Sequence, residues 1–95
     1  MTRIVVKRLI WDDWNIEHIK KHNVSQEEVE AIGQKLLAHV RGYSNRYILI
    51  GRVGSRMISV IVSRKGLGLY YPITARDSDK KERRKVHEKE KKQNS

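Results

Sequence analysis

The chain has no cysteine, no phenylalanine and a single proline among its 95 residues. Without thiols it can form neither disulfides nor thiolate metal sites, which fits a cytosolic protein. No apolar run approaches the length of a membrane span. The opening Met1-Thr2-Arg3-Ile4-Val5-Val6-Lys7 holds too short an apolar stretch for a secretory signal. No P-loop, Ser-His-Asp array or glycine-rich dinucleotide fingerprint is present. Acidic residues are scarce as well: 11 Asp and Glu stand against 21 Lys and Arg, for a formal net charge of +10.

That imbalance is the main positive feature. Like charges repel in a compact chain, and a polyanion relieves the repulsion. Nucleic acid, RNA above all, is therefore the expected partner, with a merely solvated basic surface as the alternative. The length suits one domain with a modest core.

Ile4 to Ile10 is rich in β-branched residues and predicts a first strand. Asp12 and Asp13 then offer helix caps, and a short helix is expected from Trp14 to His22, stopped at Asn23, which tolerates a left-handed backbone. The Asp12-Asp13 pair could also bind a cation, but a helix start is the simpler role. Ser25-Gln26-Glu27-Glu28 has the form of a capping box. Val29, Ile32 and Leu36 follow at helical spacing. Four β segments come next: Leu37–Arg41, Arg46–Arg52, Met57–Ser63 and Leu69–Arg76. Short turns around Tyr43-Ser44-Asn45, Gly54 and Gly66-Leu67-Gly68 make them antiparallel neighbours. Pro72 marks an edge, a bulge or a strand end. Asp79-Lys80-Lys81-Glu82 caps a last helix in which Val86 is almost the only apolar residue. The expected architecture is α+β, with two N-terminal helices and a C-terminal helix on one face of an antiparallel sheet of about four strands. Residues 1–87 form the domain; 88–95 form a basic tail expected to fray past His87.

Arg46 opens one strand and Arg76 ends another, positions from which sheet proteins present side chains to ligands. The guanidinium fork matches phosphate oxygens, and two such forks on one phosphate would stabilise a pentacoordinate transition state. Either arginine can equally be an ordinary surface residue. Lys20, Lys21 and His22 cluster where a helix ends, and cations there either cap the helix or serve a site. His18 and His22 have zinc-compatible spacing, but no third ligand or metalloprotease glutamate accompanies them, so no metal or cofactor is expected. The tyrosines 43, 47, 70 and 71 are candidate base-stacking surfaces or plain strand residues.

Several of these pieces recur in a familiar order: Trp11-Asp12; Lys21-His22-Asn23-Val24 with Glu27-Glu28; Arg46 before an apolar strand and Gly51; Thr74-Ala75-Arg76; and Glu82-Arg83-Arg84. The pattern, over about residues 9 to 84, resembles the BrnT family of type II toxin–antitoxin toxins. The resemblance implies a RelE-like fold and a cytoplasmic, metal-independent endoribonuclease that cuts RNA and blocks growth. It also implies a BrnA-like antitoxin carrying a ribbon-helix-helix DNA-binding part. Carried onto this chain, it assigns Arg46, Arg76, Lys21 and His22 to catalysis. Arg46 and Arg76 would stabilise the phosphate, and Lys21 or His22 would move protons, the choice between them left open. Lys20, Lys21, Arg46, Arg76, Arg83 and Arg84 would bind RNA. Two positions depart from the pattern: Asn23 stands where the family usually has glycine, and Val86-His87 where an aromatic often follows Glu-Arg-Arg. A cutting enzyme requires Arg46 and Arg76 to converge. A silent nucleic-acid-binding module of the same fold requires only the charge. A protein-interaction module would show no salt-dependent RNA affinity.

Overall fold

The computed structural model describes residues 4–93. The chain runs β1 (Arg8–Leu9), α1 (Asp13–Lys20), α2 (Gln26–Gln34), β2 (Ala38–Arg41), β3 (Arg46–Val53), β4 (Arg56–Gly66), β5 (Leu69–Asp77) and α3 (Lys80–Gln93). The strands form one sheet in the order β1-β5-β4-β3-β2.

The helices start where their caps dictate. The Asp12 carboxylate accepts the Asn15 amide, and the Asn15 side chain accepts the Asp12 N–H. Ser25 and Glu28 repeat the exchange at α2, as do Asp79 and Glu82 at α3. Each exchange satisfies orphan N–H groups of a first turn. Asn23 takes the left-handed backbone, φ 60°, at the turn between α1 and α2. Ser44 and Asn45, φ 55° and 60°, form the tight β2–β3 turn, whose geometry matches the twist of antiparallel strands.

The α+β class holds, with three differences from the expected arrangement. The sheet has five strands and is mixed, because β1 pairs in parallel with the start of β5. β1 is two residues long rather than seven. Lys7 and Arg8 both donate to the Gly68 carbonyl and Ile10 to that of Tyr70, and the chain then turns into the Asp12 cap. Beyond that point the Asn15 side-chain amide takes the Pro72 carbonyl instead. Pro72 itself sits at a bulge: Ile61 pairs with Thr74 and Val62 with Pro72, leaving Ile73 as the extra residue, a place where a missing N–H is tolerated.

The third difference is that the helices lie on both faces of the sheet. Strand alternation sends Tyr47, Leu49, Ile58, Val60 and Val62 to one side, where they form the main core with Ile19, Val24, Val29 and Ile32 of the α1–α2 layer. Ile50 points the other way and meets Ala38 and the fully buried Val86 of α3. A single apolar residue in a charged helix is enough to dock it because polar contacts, described below, fix both ends. α3 remains helical to Gln93 rather than ending near His87. The Arg52 guanidinium donates twice to Glu90, at 2.6 and 3.0 Å, and holds the later turns to β3.

Gly51 lets α2 approach β3. A Cβ there would lie 2.8 Å from Ile32 Cγ2 and 3.0 Å from Cγ1, and Ile32 is fully buried with nowhere to move. Gly51→Val is therefore expected to destabilise the fold by about 1–3 kcal/mol or more through overpacking, read from urea unfolding. An unchanged midpoint would show that α2 can lift without cost.

Candidate nucleic-acid interface

On the side of the sheet that carries α3, Ile50 and Ser59 are buried while Ile48 and Ile61 stay partly exposed. α3 starts beside the end of β5, crosses over Ile50, and reaches Arg52. Its entry is held by a buried polar cluster. Arg76 donates to both Glu82 oxygens, at 2.7 and 2.9 Å. Ser59 donates to Glu82 at 2.9 Å and shares a 2.7 Å bond with Ser78. Burial pushes the Glu82 carboxyl upward. The Arg76 guanidinium, the Asp79 amide and the Ser59 hydroxyl outweigh it and hold the group below its ordinary value. Glu82 in turn keeps Arg76 firmly protonated.

Glu90 and Arg52 place one flank of α3 over the C-terminal end of β3. At 100° per residue, Lys81, Lys85 and Lys89 form a row that winds from the outward side of α3 at Lys81 toward the side away from Glu90 at Lys89, and all three are exposed. Lys85 and Lys89 are close enough to β2 to be felt by His39, whose imidazole is pushed down by burial first and then by these two charges. On the same sheet face the partly exposed Ile48 and Ile61, with Gly42, Tyr43, Ser44, Arg46 and Tyr47, line an open depression of about 410 Å³. Tyr43 is 93% exposed. This sheet face, hereafter the α3 trough, thus carries both the open depression with its arginine and aromatic ring and the exposed lysine row of α3.

Arg46 and Arg76 occupy this same sheet face but do not meet. Arg46 is opposite Ser63 on β4, and Arg76 is opposite Ser59. Those partners are four positions apart, about 13 Å along β4. Arg76 is also fully engaged with Glu82, so its fork anchors α3 rather than waiting for a ligand. Arg83 donates to the Ser78 carbonyl at 3.4 Å, and Arg84 is exposed on α3. Lys20, Lys21 and His22 lie at the end of α1, on the other side of the sheet. Lys20 pairs with Glu17 at 3.4 Å. The backbone carbonyls of His22 and Asn23 accept from Arg56, which also binds Asp77, so this turn is strapped to the sheet. The structure thus brings together Arg46 with the α3 trough and Arg76 with the start of α3, and it leaves Lys21 and His22 apart from both.

The lysine row straddles the expected boundary, with Lys81 and Lys85 in the last helix and Lys89 in the tail expected to fray. Its signal is the four-residue repeat of Lys81, Lys85 and Lys89 beside the inward-facing Glu82, Val86 and Glu90. Among the described residues no three of His, Asp and Glu gather into a metal-binding group. No described helix is long and apolar enough to cross a membrane. No protein-family model matches the chain, and no curated protein matches it.

Proposed function

We propose that this chain is the toxin of a type II toxin–antitoxin pair, an RNA-binding endoribonuclease of RelE-like type that works in the cytoplasm without a metal. Its neutralising partner would be a BrnA-like antitoxin with a ribbon-helix-helix DNA-binding part. The resemblance in motif order supports this reading, and the α3 trough is the structural observation that carries it. The same sheet face carries exposed cations and an open, partly apolar depression, chemistry suited to phosphates and to unpaired bases. In this reading the RNA 2′-hydroxyl loses its proton to solvent water and attacks the adjacent phosphorus, forming the 2′,3′-cyclic phosphate as the bond to the 5′-oxygen breaks and that oxygen takes up a proton from water. Arg46 stabilises the added charge, and the lysine row holds flanking phosphates. Arg76 acts as a positioning residue through Glu82.

A second reading has a specific observation in its favour. Because Arg46 and Arg76 do not converge, the two-arginine site expected of a cutting enzyme is not formed: cleavage would rest on Arg46 alone, and the alternative is a chain that binds RNA without cutting it. Incubation of purified protein with a single-stranded RNA in EDTA separates the two. The toxin reading expects products ending in a cyclic or 3′-phosphate, an intact DNA of the same sequence, and growth arrest on induction that the partner relieves. Binding with no cleavage and no growth defect leaves the silent module. Equal cutting of DNA, or activity lost in EDTA, overturns the mechanism.

A further inference from the structure

Most large apolar side chains of this protein are buried, but Trp14 on α1 is 56% exposed. Its indole lies flat against the His18 ring, with centroids 4.7 Å apart and planes 11° from parallel. His22 continues the series, 5.6 Å from His18 and tilted by 59°. The three rings recur every four residues, Trp14 and His18 on one side of α1 and His22 in the turn just past its end. Asn15 and Ile19, on the inward side, are fully buried. Lys21 falls on the outward side with the rings by the same helical spacing and is exposed. The acids nearest in sequence are Asp13, exposed beside Trp14, and Glu17, which is paired with Lys20. The histidine stack holds the indole in one orientation, so little freedom is lost when another flat ring lies on it.

We infer that the Trp14–His18–His22 stripe is a stacking surface for unpaired bases of single-stranded RNA, with Lys21 holding an adjacent phosphate. The inference rests on the RNA-directed reading above and gives Lys21 and His22 a holding role on the side of the sheet opposite the α3 trough. An unpaired base is the fitting occupant. The surface joins π faces to cations, and a chain of net charge +10 attracts polyanions. Base–aromatic stacking is worth enough to weaken binding about tenfold when one ring is removed.

The test compares a 12-nucleotide single-stranded RNA with an abasic strand of the same length. Trp14→Ala is expected to weaken binding of the normal strand about tenfold and to leave the abasic strand unaffected, while Trp14→Phe restores most of the loss. Trp14→Leu keeps the apolar bulk without a π face, so it decides the matter if Trp14→Ala lowers the melting temperature. Equal affinity of the wild-type and Trp14→Leu proteins for the normal strand overturns the stacking surface and leaves the trough standing. Absence of RNA binding by the wild-type protein overturns both.

Discussion

Arg76→Ala should lower the melting temperature by about 10–20 °C. Glu82 is 7% exposed in its side chain, whereas Arg76 is 39% exposed. Removing the arginine leaves a nearly buried carboxylate without its cation. Breaking a fully buried pair costs about 3–5 kcal/mol. The partial exposure of Arg76 reduces this to about 2–3 kcal/mol, since solvent screens the open side. For a domain of this size each kcal/mol shifts the midpoint by about 4–8 °C. The pH dependence identifies the cause. The Glu82 carboxyl is held below its ordinary value of 4.5, so its stabilising contribution is complete above that pH and disappears as pH falls through the lowered value. The gap between wild type and Arg76→Ala should accordingly be widest near neutrality and close in acid, where Glu82 is protonated in both. Adding Glu82→Gln to Arg76→Ala should recover part of the loss at neutral pH. A gap that persists at low pH would mean that Arg76 contributes through packing alone. Any loss of RNA cleavage in Arg76→Ala must be judged against this destabilisation.

Replacing Lys81, Lys85 and Lys89 together with glutamine should weaken single-stranded RNA binding about a hundredfold at 0.1 M salt. The salt dependence should also flatten, by about 2 in the slope of log affinity against log salt. Each phosphate contact on a single strand contributes about 0.7 to that slope through released counterions, and three are removed. The fold should be unaffected, because all three side chains are exposed and glutamine is nearly as good a helix former as lysine. Fluorescence titrations across a salt series read both quantities. A parallel salt line with unchanged affinity would remove α3 from the interface and point to the α1 side alone.

The two outcomes together separate an anchoring arginine from a binding surface, a distinction that strand position does not convey. In the sequence Arg46 and Arg76 look equivalent, each at a strand end. Register separates them: their β4 partners are Ser63 and Ser59. Glu82, only six residues past Arg76, claims its guanidinium because the Asp79 cap turns the helix back over Ser59. The same docking keeps the residues past His87, expected to fray, helical to Gln93.

Local chemistry was legible from the sequence alone. The three capping positions at Asp12, Ser25 and Asp79, the left-handed Asn23, the Tyr43–Asn45 turn and the inward alternation of Ile58, Val60 and Val62 all depend on residues within a few positions of one another, where short-range sterics and hydrogen bonding decide. The basic charge was equally plain. What only the tertiary structure decided depends on partners far along the chain. β1 is short and parallel because its hydrogen bonds go to Gly68 and Tyr70. α3 crosses to the second face because Ile50 and Ala38 leave a small apolar patch there that Val86 fills. Arg76 is an anchor because Glu82 reaches it first. Long-range packing chooses among faces that local spacing leaves equivalent.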